Sequence, residues 1–176
     1  SVVKNKTMKN IVFLMLICVA TFANAQTKGF YENVQKKNVS KVLDDLNTFA
    51  ANADFKNYFN LYAEESTFFG TDATEVWNKK EFMEYAKPHF DKGKAWSFTS
   101  LKRNITFSVD GKYAWFDELL ETQMKLCRGS GVLEKIGNQW KIKQYVLSMT
   151  IPNDVSNEII KIKTPIEDAV ISDLKK

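Results

Sequence analysis

From Val39 onward, apolar positions recur every three or four residues: Val39, Val42, Leu43, Leu46, Phe49 and Ala50. That spacing predicts an amphipathic helix from about Ser40 to Asn52. Phe55, Tyr58, Phe59 and Tyr62 form the apolar side of a second, short helix, with Asp54 placed to cap it and Glu64-Glu65 at its end. Ser66 to Gly70 reads as a short strand. Asn78 followed by Glu81 resembles a capping box opening a third helix, whose apolar side is Phe82, Tyr85 and Ala86. Pro88 predicts an end or a kink, and Gly93 marks the exit. Beyond Ala95 the period changes to two. Trp96 to Leu101 leads into the alternating Ile105, Phe107 and Val109, and Asp110-Gly111 predicts a turn. Tyr113 to Leu126 reads as one long strand.

Two more alternating runs flank Gly137-Asn138: Val132, Glu134 and Ile136 before it, then Trp140, Ile142, Gln144, Val146 and Ser148 after it. This is a hairpin signature. On the second strand, Lys141, Lys143, Tyr145 and Leu147 occupy the opposite face. Gly129 and Gly131 interrupt the first strand, which predicts a bulge or a close backbone approach in a strongly bent sheet. Helices followed by antiparallel strands predict an α+β fold. In the tail, Asp154 is placed to cap a helix carrying Val155, Ile159 and Ile162. Thr164-Pro165-Ile166-Glu167 marks a second helix start, continued by Val170, Ile171 and Leu174. The tail, 154–176, is expected to pack on the domain or to meet a partner through its apolar stripe.

The segments Arg128-Gly129-Ser130-Gly131-Val132-Leu133, Gly137-Asn138-Gln139-Trp140-Lys141-Ile142 and Tyr145-Val146-Leu147-Ser148 resemble the closing hairpin of SnoaL-like domains, members of the nuclear transport factor 2-like superfamily. Phe69-Gly70-Thr71-Asp72 with Glu75 and Trp77, and Ala114-Trp115-Phe116-Asp117-Glu118 after Asp110-Gly111, resemble earlier parts of the same family. The resemblance covers 39–153. It implies a cone: N-terminal helices packed on a strongly curved antiparallel sheet, with a pocket inside and an open sheet face used for homodimers. Many SnoaL-like domains carry a histidine two residues before the last-strand serine. Here Val146 stands there, and valine transfers no proton.

Length fits one domain. The N-terminus reads as a secretory signal peptide: Lys9, an apolar core from Ile11 to Ala20, and Ala23-Asn24-Ala25 as a cleavage site before Gln26. Met8 reads as its start, with 1–7 an upstream extension. The expected organisation is a leader over 1–25, a loose lead-in over 26–38, the domain over 39–153 and the tail. A secreted or periplasmic location follows, with no membrane attachment after cleavage. Losing 1–25 removes Lys4, Lys6 and Lys9 and no acid, so the formal net charge falls from +4 to +1. The basic balance therefore belongs to the leader, and nucleic-acid binding loses its support. Cleavage also removes Cys18, leaving Cys127 without a disulfide partner and best read as a small buried side chain.

One histidine, His89, and one mature cysteine make no metal-ligand pair. Phosphate loops, dinucleotide fingerprints and nucleophile elbows are absent. No cofactor is expected. What remains is an apolar pocket with a carboxylate in it, where burial raises a pKa and makes a base. Asp117 and Asp72 are the candidate catalytic bases. Glu118 is the other acid on that strand, and a structural ion pair with Arg128 is its competing reading. Phe68, Phe69, Trp77, Phe82, Phe90, Trp96, Trp115 and Trp140 serve as core or as pocket wall. Phe69, Trp77, Trp115, Trp140, Gln144, Val146 and Ser148 are the candidate ligand-binding set. Three functions remain open: a secreted binder of a small, largely apolar molecule; an acid–base isomerase, cyclase or hydrolase; or an interaction module with a filled core.

Overall fold

A computed structural model describes residues 29–176. The expected leader lies outside the described residues. Helix α1 occupies 29–51, so residues 29–38, expected as a loose lead-in, are helical and continuous with the first apolar stripe. Gln35, Val39, Leu43, Leu46 and Ala50 form its buried side. Helix α2 spans Phe55–Asn60, with the Asp54 carboxylate accepting from the Asn57 N–H at 3.1 Å. It stops before Tyr62. Glu64 and Glu65 lie instead in strand β1, Tyr62–Phe69. Strand β2, Val76–Asn78, leads directly into helix α3, Lys79–Asp91. The Asn78–Glu81 capping box forms in both directions, at 3.0 and 2.9 Å. Pro88 lies inside α3, and the helix runs three residues beyond it.

The remaining strands are β3, Thr99–Phe107; β4, Tyr113–Thr122; β5, Lys125–Ile136; and β6, Gln139–Met149. The run expected as one strand over 113–126 is broken at Gln123-Met124. No turn residue marks that break. Lys125 makes it by taking φ 67°, a left-handed conformation unusual for a side-chain-bearing residue. The sheet order is β2-β1-β6-β5-β4-β3, antiparallel except for β1 beside β6. Helices α1, α2 and α3 and the inner sheet face share one core that includes Leu43, Tyr58, Phe82, Leu120, Leu133 and Ile142.

Two features bend and re-phase the sheet. Ile142 pairs with Leu133 but Gln144 pairs with Val132, so Lys143 is an extra residue in β6. A one-residue insertion exchanges the faces of everything beyond it. Trp140 and Ile142 point inward, and then Tyr145 and Leu147 do. Gly131 sits at the same place on β5. A Cβ there would lie 2.0 Å from the Gln144 carbonyl oxygen.

The chain closes with a short 3-10 turn, Asn153–Val155, and helix α4, Ser156–Leu174. The two expected tail helices are one, continuous through Pro165. The proline removes one backbone donor. The Thr164 hydroxyl donates to the Ile160 carbonyl at 2.7 Å in the same turn. No α4 side chain is buried.

Candidate functional site

A cavity of about 180 Å³ opens between α1, α2, α3 and the inner face of β1 and β6. Its wall is aromatic: Tyr58, Phe68, Trp77, Phe82, Tyr85 and Trp96. Several rings lie nearly parallel. Phe68 stacks on Phe82 with centroids 4.0 Å apart at 12°, and on Tyr145 at 5.7 Å and 5°. Trp77 stacks on Phe82 at 5.9 Å and 10°, and on Tyr85 at 4.4 Å and 22°. These stacked rings form much of the cavity lining. Asn47, Thr71, Glu75 and Gln123 add polar groups to the lining. Apolar walls with a few polar groups are what a small-molecule site requires.

Deep in the wall the phenols are strongly perturbed. The Tyr58 and Tyr62 hydroxyls lie 3.2 Å apart. Burial pushes the phenols of Tyr58, Tyr62 and Tyr145 well above the ordinary tyrosine range. For Tyr145 the Glu118 carboxylate adds to that push. The Tyr145 hydroxyl donates to Glu118 at 3.3 Å. Glu118 is fully buried and pairs with Arg103, directly opposite on β3, through two guanidinium nitrogens at 2.9 and 2.8 Å. Arg103 also donates to the Ser40 carbonyl at 3.1 Å and meets Asp44 at 2.8 Å, which ties α1 to the sheet. The expected Glu118–Arg128 pair is therefore not formed. Glu118 points inward and Arg128 outward, and Arg128 lies 3.9 Å from Asp117 instead.

The candidate residues divide by face. Trp77 lines the cavity. Phe69 does not, because alternation on β1 sends Phe68 inward. On β4 the inward set is Ala114, Phe116, Glu118, Leu120 and Thr122. Trp115 and Asp117 consequently lie on the outer face, where Asp117 accepts from the Asn104 amide at 3.1 Å. Trp140 is buried at a different place in the core. Its N–H donates to the Gln35 side chain at 2.9 Å, and its ring packs on Phe107. Gln144, Val146 and Ser148 lie beyond the bulge and face outward. Asp72 is exposed in the loop joining β1 to β2. The Thr74 hydroxyl and then the Thr74 N–H, at 2.6 and 2.9 Å, hold its carboxyl below the usual range. Glu75, the acid that does line the cavity, accepts from the Asp72 N–H at 3.1 Å.

Tyr58, Tyr145 and Leu147 were not in the candidate set. One signal pointed to the last two: Tyr145 and Leu147 are apolar where their assigned inner-face neighbours, Gln144 and Ser148, are polar. Among the described residues no group of three His, Cys, Asp or Glu side chains could hold a metal ion, and no helix is long and apolar enough to cross a membrane.

No curated protein matches the sequence. Solved structures do share its fold. A nuclear transport factor 2-like protein of unknown function from Pseudomonas putida aligns with a TM-score of 0.59 at 11% identity, over 70% of this chain and 92% of its own. A dehydratase candidate of the same family from Streptomyces avermitilis aligns at 0.59 and 11%, over 69% and 99%. The association domain of CaMKII from C. elegans aligns at 0.56 and 19%, over 68% and 98%. The SnoaL-like domain family matches residues 39–152. By that match and by its curved sheet wrapped around helices, the chain belongs to the SnoaL-like domain family of the nuclear transport factor 2-like superfamily.

Proposed function

We propose that this protein binds a small, flat, largely apolar molecule in the aromatic cavity and acts outside the cytoplasm. The observation that carries the reading is the parallel stack of Phe68, Trp77, Phe82 and Tyr85 beside an open volume of about 180 Å³. A cavity of about 150 Å³ lined by apolar side chains accepts benzene. The volume here therefore fits one ring with short substituents, and it is too small for a fused four-ring skeleton. The extracytoplasmic part of the proposal rests on the leader-like pattern around Lys9 and Ala23-Asn24-Ala25.

Burying roughly 200 Å² of ring surface at about 25 cal/mol per Å² gives about 5 kcal/mol. That corresponds to a Kd near 0.2 mM. Titration with 4-ethylphenol, followed by calorimetry, tests the reading. Binding in the sub-millimolar range, weakened at least tenfold by Trp77→Ala, is the expected result. Failure of the wild type to bind any one-ring aromatic compound would overturn it.

Two further readings draw on specific observations. The first is a homodimer through the outer sheet face, where Leu101, Tyr113, Trp115 and Leu126 are exposed. An association domain among the fold neighbours is compatible with it. Native mass spectrometry would report the oligomeric state and any retained molecule together. The second is acid–base catalysis, for which the fold neighbours include a dehydratase candidate. On the geometry its acid would be Glu75, since Asp117 faces away from the cavity and Asp72 sits outside it.

A further inference from the structure

A second hollow adjoins the first. It lies between α4, the end of β6 and the loop joining β1 to β2, with a volume of about 710 Å³. Thr71 lines both hollows. At two places the chain passes from one to the other within a step or two: Leu147 lines the cavity and Ser148 the groove, and Gly70 lines the cavity and Asp72 the groove. The ends of β1 and β6, which run parallel here, thus form a lip with the cavity beneath and the groove above. The two linings differ in kind. The cavity is aromatic, whereas the apolar part of the groove is aliphatic: Met149, Ile151, Ile159, Ile166, Val170 and Leu174.

We propose that the two hollows form one site for a single amphiphile, an aromatic ring carrying an alkyl chain. This rests on the cavity reading above. The ring fills the cavity, which has no room for more. The chain crosses the lip at Thr71 and lies under α4. Flat side chains match a ring by stacking, and aliphatic side chains match a flexible chain that no stacking geometry constrains. The lining of α4 is also what the fold alone leaves unexplained. Ile166 is 68% exposed and no residue of the helix is buried, so its apolar stripe does little for the domain's own core.

The test uses the full chain and the series 4-ethylphenol, 4-butylphenol and 4-hexylphenol, with Kd measured by calorimetry. A fully buried methylene would tighten binding about fourfold. The groove wall is itself partly exposed at Ile166, so a gain between about two- and fourfold per added methylene is expected. Ile166→Asp places a charge on the groove wall at an exposed helical position, so folding is not at risk. It should leave 4-ethylphenol within about twofold of wild type and flatten the chain-length gain. A wild-type series with no gain beyond 4-ethylphenol would overturn the proposal and spare the cavity reading. Failure of every member to bind would remove both. An unchanged gain in Ile166→Asp, or conversion of a dimer to a monomer with no effect on the gain, would also overturn it. The latter would assign the groove to a second copy of the chain.

Discussion

The pair Arg103–Glu118 offers the sharpest test of how the site is held. Its side chains are 10% and 0% exposed. Arg103→Met removes the guanidinium and leaves Glu118, among the described residues, with one weak partner, the Tyr145 hydroxyl at 3.3 Å. Breaking a buried pair from one side costs about 3–5 kcal/mol, because a buried charge is left without compensation. The same substitution also breaks the ion pair to Asp44, which adds little, since that carboxylate is 63% exposed. Small domains have about 5–15 kcal/mol in total, so the variant should be folded but weak. Urea unfolding at neutral pH, followed by tryptophan fluorescence, should show a midpoint lowered at unchanged slope. The double variant Arg103→Met with Glu118→Leu should recover most of the loss, because both charges leave together. A loss of about 1 kcal/mol or less in the single variant would place the pair within reach of water and refute its burial. A double variant as weak as the single one would show that packing, and not charge, sets the cost.

Three further outcomes are expected. Gly131→Ala puts a Cβ 2.0 Å from the Gln144 carbonyl oxygen, a backbone atom that cannot swing aside, so a loss of about 2–3 kcal/mol in urea unfolding is expected; an unchanged midpoint would deny the bulge at Lys143. Tyr58, Tyr62 and Tyr145 each hold their proton more tightly folded than unfolded, so stability is full below the unfolded value of about 10 and falls as pH rises above it. Their phenolate absorbance near 295 nm should appear only together with unfolding, and a reversible rise in the folded protein would contradict their burial. Truncation after Asn153 removes no buried side chain, so it should shift the thermal midpoint by only a few degrees and leave 4-ethylphenol binding intact.

Much of the fold was legible in local chemistry. Asp54 and the Asn78–Glu81 box cap their helices because the side-chain oxygen and the orphan N–H are only three residues apart in the chain. The Gly137-Asn138 hairpin forms because Gly137 takes φ 60° without strain. Gly129 and Gly131 are glycine for close approach, as their positions implied: a Cβ on Gly129 would lie 2.5 Å from the Tyr145 hydroxyl. Each of these facts lives within one turn or one strand pair.

The site was less legible, for the same physical reason reversed. Strand alternation tells which residues share a face but not which face is inside, and one inserted residue reverses the answer. Lys143 is that residue. It turned Tyr145 and Leu147 into the cavity and carried Gln144, Val146 and Ser148 out of it. On β4 the choice between Asp117 and Glu118 depended on Arg103, fifteen positions away in sequence and directly opposite in the sheet. The break at Gln123-Met124 depended on Lys125 accepting a left-handed backbone that no local preference announces. The sequence alone therefore determined the class of fold, the family and the elements with strong local signals, namely the capped helices and the closing hairpin. Only the tertiary structure decided which aromatic rings meet in the cavity, because that depends on sheet curvature and register, to which residues from β1 to β6 all contribute.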